Sequence, residues 1–246
     1  MTPAIRLDGV SKSFGSKRVL DDVSVDVQPG EGLGILGRSG TGKSVTLKHI
    51  VGLVKPDRGR VYVEGRDITG MSSRELASVR RRMGFVFQNG ALFDSISVGE
   101  NVAFVLRRHT TLSDREIRSR AAEKLARVGL EHDYEKMPAA LSGGMRKRAG
   151  LARAMALDPP ILLVDEPSAG LDPITSGEID DLLLDLKQND GTTVVIVTHN
   201  MPSARKLADR LVMLHDGRVC AAGTPAELER SDDPLVQAFL HSTHSG

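Results

Sequence analysis

The run Gly37-Arg38-Ser39-Gly40-Thr41-Gly42-Lys43-Ser44 has the residue types and spacing of a loop that cradles phosphate. Glycines let the backbone turn its N–H groups toward an anion, a lysine reaches the outer phosphate oxygens, and a hydroxyl opening the next helix can ligate Mg²⁺. The apolar run Leu33–Leu36 precedes this loop and a helix candidate follows it, the context that the mechanism requires. Further along, Ile161-Leu162-Leu163-Val164 ends in Asp165-Glu166, which places two carboxylates at a strand's C-terminal end, where open α/β sheets bind ligands. One suits a cation and the other a water molecule. Taken alone, acids at a strand end are commonly just solvated; beside a phosphate loop they read as the other half of a nucleotide site. Nucleotide kinases, G proteins and helicases share both features, so these residues specify nucleotide use and no particular machine.

A third motif narrows the choice. Leu141-Ser142-Gly143-Gly144-Met145 introduces a helix candidate over Arg146–Leu157. Alone it reads as an N-cap and turn; as chemistry it offers a hydroxyl and close-approach backbone donors to an anion at a helix N-terminus. Around it stand, in order, Gln88 closing a strand candidate, Ser168-Ala169-Gly170-Leu171-Asp172 after the paired acids, and His199 after Val194–Thr198. A lone histidine beyond a buried strand is more often structural than catalytic, and only the ordered series gives His199 weight. With these motifs the chain resembles the ABC ATPases from about Ile5 to Leu228.

The resemblance implies an α/β P-loop NTPase core with a mainly parallel sheet, an N-terminal antiparallel β subdomain and a helical subdomain insert. It also implies ATP as substrate and Mg²⁺ as cofactor. On this carry-over Glu166 is the general base, His199 positions the γ-phosphate, Gln88 senses the metal and meets the permease, and Lys43 belongs to the catalytic set. ATP contacts fall on Phe14, Gly37, Arg38, Ser39, Gly40, Thr41, Gly42, Lys43, Ser44 and Val45, and Mg²⁺ contacts on Ser44, Gln88 and Asp165. Ser142, Gly143, Gly144, Met145 and Asp172 meet the ATP held by the other subunit, so the resemblance implies a head-to-tail homodimer with ATP at each interface site. Phe14, in Lys12-Ser13-Phe14-Gly15, falls where the family stacks an aromatic ring on adenine; a core role for it stays open.

Two departures from the family pattern are Met145, where glutamine is common, and Arg38, where proline is frequent. Neither removes a catalytic group, but a thioether donates none of the amide hydrogen bonds that glutamine makes. The wording of Gln88–Ser95, Leu141–Arg148 and Glu166–Ile174 is similar to that of the MlaF-type ATPases. This implies phospholipid traffic between bacterial inner and outer membranes, with an MlaE-like integral permease, an MlaD-like MCE-domain protein and a small MlaB-like regulatory subunit. The ATPase would sit on the cytoplasmic face of the inner membrane, held there by the permease. ATPases of sterol, fatty-acid or polar-solute transporters remain alternatives, as does a non-transport ABC protein acting on ribosomes or nucleic acid.

Composition bounds the elements that must position these groups. The chain has 246 residues, 40% hydrophobic and 26% charged, enough for one large α/β domain with an insert. Lys plus Arg number 33 against 32 for Asp plus Glu, which gives no reason to expect a nucleic-acid partner. Cys220 stands alone, so no internal disulfide is expected, and Met1–Arg6 lacks a secretory apolar stretch; both fit a reducing cytoplasm. Apolar runs fall far short of the roughly 20 residues that span a bilayer.

Strand candidates are Ile5–Val10, Val19–Val27, Leu33–Leu36, Val61–Val63, Phe85–Phe87, Ile161–Val164, Val194–Val197 and Leu211–Leu214. The last three are continuous apolar runs suited to a parallel sheet, and the early ones alternate more and suit a smaller antiparallel sheet. Ser97 with Glu100, Ser113 with Glu116 and Thr224-Pro225-Ala226-Glu227 are helix-start signals, and Asp233–Leu240 reads as a last short helix before the polar His241–Gly246. That helix either packs on its own chain or touches a second subunit. The expected divisions are 1–88 for the β subdomain and phosphate loop, 89–157 for the helical insert, 158–222 for the rest of the core and 223–246 for the tail.

Overall fold

The computed structural model describes residues 2–88 and 90–242, with side chains through Leu240. Met1, Asn89 in the segment after Gln88, and residues 243–246 of the polar tail lie outside the described residues. In chain order the elements are β1 (Ile5–Phe14), β2 (Lys17–Val27), β3 (Gly32–Leu36), α1 (Lys43–Ile50), β4 (Arg58–Val63), β5 (Arg66–Asp67), α2 (Ser73–Arg80) and β6 (Met83–Val86). Then come α3 (Val98–His109), α4 (Asp114–Arg127), α5 (Gly143–Ala154), β7 (Ile161–Asp165), α6 (Pro173–Asn189), β8 (Thr193–Val197), α7 (Met201–Leu207), β9 (Arg210–His215), β10 (Arg218–Gly223), α8 (Pro225–Glu229) and α9 (Pro234–Ser242).

The described strands form two sheets. One, in the order β2-β1-β4-β5, is antiparallel and alternates buried with exposed residues. The other runs β10-β9-β3-β8-β7-β6, with parallel pairing from β9 to β6 and β10 antiparallel at its edge. Every residue of β3, β7 and β8 is buried, as parallel strands covered on both faces require. The register sets Phe85 beside Leu163, Leu163 beside Val195 and Val195 beside Leu33, so the C-terminal ends of β3, β7 and β8 open on one edge. That common edge is where the phosphate loop, the paired acids and His199 emerge.

Two early strand candidates belong to the parallel sheet rather than to the small antiparallel one. Leu33–Leu36 is part of β3 and Phe85 lies in β6, which ends at Val86 and leaves Phe87 and Gln88 beyond it. The reason is close packing. A Cβ on Gly34 would lie 2.5 Å from Leu211 Cδ2, and one on Gly84 would lie 2.5 Å from the carbonyl oxygen of Ala154. Glycines that admit a neighbour this closely break the continuous apolar run by which a buried strand is recognised. α2, β5 and β10 carry no expectation from the sequence, although Ser72 and Glu75 form a capping box at the start of α2.

The helix-start signals act as caps. Ser97 accepts the N–H of Glu100, and Ser113 with Glu116 and Thr224 with Glu227 close reciprocal capping boxes. α5 begins at Gly143, capped by Ser142, one turn ahead of the expected start, and ends at Ala154. α3, α4 and α5 bury Leu106, Leu125 and Leu151 against β6 and β7. α9 buries Val236, Phe239 and Leu240 against its own chain, over Met201, Ala204 and Leu211.

The turn before α3 hangs on one side chain. Fully buried Asn101 accepts the N–H of Phe93 at 2.7 Å and donates to the carbonyls of Phe93 at 3.1 Å and Ser97 at 3.0 Å. Asn101→Ala leaves buried backbone groups unpaired at about 1–3 kcal/mol each, so a loss of roughly 2–4 kcal/mol is expected in urea unfolding monitored by circular dichroism.

Candidate functional site

The phosphate loop is shaped by backbone only glycine tolerates. Gly42, immediately before α1, has φ 103°, and a Cβ there would meet Leu20 Cδ2 at 2.6 Å and the Val19 carbonyl oxygen at 2.8 Å. The first N–H groups of α1, on Lys43, Ser44 and Val45, have no intrahelical acceptor and face the loop mouth with the positive end of the helix dipole. Lys43 folds its Nζ back onto the carbonyls of Gly37 at 2.8 Å and Arg38 at 3.1 Å, and stands 3.8 Å from Glu166 Oε1. Burial pushes the Lys43 ammonium down from its ordinary range, while the nearby Glu166 and Asp165 carboxylates pull it back up.

Asp165 ends β7 and accepts a 2.8 Å hydrogen bond from Ser44 Oγ. Burial raises its carboxyl above the ordinary range, and the Ser44 bond partly offsets this. The hydroxyl and carboxylate pair supplies the hard oxygen donors that Mg²⁺ prefers. With the inward amide groups and an ammonium already resting on oxygen acceptors, the residues present fit a nucleotide triphosphate and its cation.

Glu166 leaves the strand with φ 47°, a left-handed conformation uncommon for a residue with a side chain. Its N–H is donated to the Val197 carbonyl at 2.8 Å, which ties it to the end of β8. The turn aims the carboxylate between Lys43 and His199, whose Nδ1 lies 2.8 Å from Glu166 Oε2. A carboxylate accepts, so Nδ1 carries the proton in this hydrogen bond.

These groups line an open cleft of about 1210 Å³. It brings together Gly37, Arg38, Ser39, Gly40, Gly42, Lys43, Ser44 and Val45 with Gln88, Glu166 and His199. Asp165 sits beneath the cleft wall, and Thr41 hydrogen-bonds within the loop through the Arg38 carbonyl. Phe14 closes β1 with half of its surface exposed and Lys12 Nζ 5.5 Å from its ring centre, so its ring is outside the core and also outside the cleft lining. Ser142, Gly143, Gly144 and Met145 open α5 outside the lining of this cleft, where Ser142 Oγ accepts the Met145 N–H at 3.2 Å. Asp172 caps α6, accepting the N–H groups of Ile174 and Thr175 at 3.0 Å.

Several lining residues were not anticipated. Val19 reaches the cleft from β2, Asn200 and Ser203 reach it from the start of α7, and Lys206 from the last turn of that helix. Asn200 caps that helix by accepting the Ser203 N–H, a spacing the sequence displays; nothing in the sequence marks Val19.

Comparison with known proteins places the architecture. The family described as ABC transporter matches residues 20–169. A probable ribonucleotide transport ATP-binding protein, mkl, of Mycobacterium leprae is 46% identical over 246 residues, all of this chain and 71% of that protein. The intermembrane phospholipid transport system ATP-binding protein MlaF of Escherichia coli K12 is 40% identical over 237 residues, 96% of this chain and 88% of that one. Among solved structures, the dimeric post-hydrolysis ATP-binding cassette MJ0796 bound to ADP and Pi superposes with a TM-score of 0.84 at 37% identity, covering 90% of this chain and 98% of that one. The family match over more than half of the chain and the close superposition fit the fold described above, and the chain belongs to the ABC transporter family as an ATP-binding subunit that hydrolyses ATP, with Mg²⁺, in the service of transport.

Proposed function

We propose that this chain works as a head-to-tail homodimer that drives a phospholipid transporter at the inner face of a bacterial membrane. Its membrane partners would be an MlaE-like permease and an MlaD-like MCE protein, with an MlaB-like regulator. The observation that carries the catalytic assignment is Glu166, held between Lys43 Nζ and His199 Nδ1 at the mouth of the cleft. In this reading Glu166 accepts the proton of the attacking water and His199 holds that carboxylate in place while its other ring nitrogen faces the γ-phosphate. Lys43 and the loop amides bind the phosphates, and Gln88 reaches the same cleft from the end of β6. Bound to Ser44, Asp165 and Gln88, Mg²⁺ would supply charge neutralisation at the phosphate oxygens. Ser142–Met145 and Asp172, none of which lines its own cleft, serve the nucleotide of the second subunit, and Phe14 stacks on adenine.

Support for the cargo comes from the wording of Gln88–Ser95, Leu141–Arg148 and Glu166–Ile174, together with likeness to MlaF over nearly the whole chain. The name of the M. leprae relative points to a different cargo, ribonucleotides. For the permease, the fitting surface is the aromatic step where the Gln88 segment meets α3. Phe93 and Phe104 are 46% and 48% exposed, pack edge to face at 5.2 Å, and Arg153 lies 5.8 Å over the Phe93 ring. Phe104→Asp is expected to weaken recovery of the permease by roughly tenfold or more, the cost of losing an aromatic anchor, with nucleotide binding intact.

The reading as a whole is tested by tagging the chain, solubilising native membranes gently and identifying the stoichiometric partners and lipids by mass spectrometry. A permease with an MCE-domain protein and phospholipid supports it. A periplasmic solute-binding protein in their place overturns the cargo and leaves the ATPase chemistry standing.

A further inference from the structure

Lys147 is a charged side chain in an unusual place. It sits in the second turn of α5, only 7% exposed, and among the described residues no carboxylate pairs with it directly. Its Nζ instead donates to two backbone carbonyls of the loop after β7, Ala169 at 2.5 Å and Glu166 at 3.5 Å. A buried ammonium is costly unless its donors are satisfied. Burial pushes this amine down from its ordinary range, and the Glu166 charge partly restores it.

The loop it holds is the one that aims Glu166. The Glu166 carbonyl also accepts the Ala169 N–H at 3.2 Å, the Ser168 carbonyl accepts that of Leu171 at 3.1 Å, and both Glu166 and Gly170 have left-handed φ, 47° and 74°. Such backbone persists only where its surroundings over-determine it. Two further contacts join the first turns of α6 to α5, and a third, within α6, fastens Asp172 at the end of this loop. A Cβ on Gly144 would lie 2.4 Å from Thr175 Cγ2, Thr175 Oγ1 donates to Asp172 at 2.7 Å, and Arg148 pairs with Glu178.

We propose that Lys147 is a positioning residue that couples the two sites of the dimer: by holding the Glu166 and Ala169 carbonyls it ties the helix that receives the partner's nucleotide to the turn that aims the same subunit's base. The proposal rests on the head-to-tail reading and on Glu166 as base. A partner's γ-phosphate drawing in Ser142–Met145 moves α5, and through Lys147 the Glu166 turn follows, so each subunit's base is set only when its own signature residues are engaged.

Mixed dimers in the native complex, built from differently tagged full-length chains, test this. One subunit carries Glu166→Gln, so the other alone supplies a base, and single-turnover hydrolysis is measured. Lys147→Met in the base-bearing subunit is expected to slow hydrolysis by roughly 10–100-fold, the effect of a misplaced catalytic group, whereas the same change in the Glu166→Gln subunit leaves it within about threefold. Lys147→Arg in the base-bearing subunit restores most of the rate. Equal losses from either placement indicate a structural role and overturn the coupling, as does no loss from either. Should Lys147→Met fail to fold, Lys147→Gln, which keeps a donor, enters the same comparison. A symmetric Glu166→Gln dimer that still turns over would sink the underlying assignment of the base instead, a distinguishable result.

Discussion

Glu166→Gln is expected to slow ATP hydrolysis by roughly 10²–10⁴-fold, the worth of a positioned general base, while ATP affinity changes little. The amide has the same shape, so it fits the left-handed turn and keeps the Val197 and Lys147 contacts, which involve the backbone of residue 166. What it loses is the basic oxygen 2.8 Å from His199 and the negative charge 3.8 Å from Lys43. Neither is a phosphate contact. With binding intact and hydrolysis stalled, ATP holds the subunits together, and size-exclusion chromatography in ATP should show a dimer that wild-type protein loses as it turns over. Phosphate release at the wild-type rate would remove Glu166 from the proposed mechanism.

Lys43→Ala is expected to fail earlier, at binding. Its ammonium is buried against two loop carbonyls and beside two carboxylates, so its removal takes away the charge that receives the phosphates and leaves Asp165 and Glu166 with less positive charge to offset their mutual repulsion. A loss on the order of 10³-fold in kcat/KM is expected, comparable to deleting a preorganised donor from a transition-state site. Isothermal titration with ATP and the steady-state ATPase rate should fall together. Loss of rate with unchanged affinity would reassign Lys43 to the chemical step alone.

The site was legible in the sequence to the extent that its chemistry depends on local spacing. The phosphate loop is a contiguous run, Asp165-Glu166 directly ends an apolar strand, and Ser142, Ser97 and Ser113 cap helices within three residues of themselves. Leu33–Leu36 and Phe85–Phe87 were legible as strands but not as members of the parallel sheet, because Gly34 and Gly84 interrupt their apolar runs and the tight packing they permit lies in tertiary neighbours, Leu211 and Ala154. Val19 and Lys206 reach the cleft from elements whose placement no local pattern records. Lys147 was unremarked for the same reason: as one cation in a basic helix it looks solvated, and only the fold brings two carbonyls to it.

The phosphate loop, the paired acids and His199 meet only because β3, β7 and β8 lie side by side, though their residues are far apart along the chain. Until that sheet is complete there is no cleft, so nucleotide binds the folded chain and has no equivalent grip on the unfolded one. By linkage ATP is then a thermodynamic chaperone of its own enzyme, adding about 2.7 kcal/mol of folding stability at a concentration of about 100 Kd. An ATP-starved cell would lose its transport power and, with it, part of the resistance of this subunit to proteolysis.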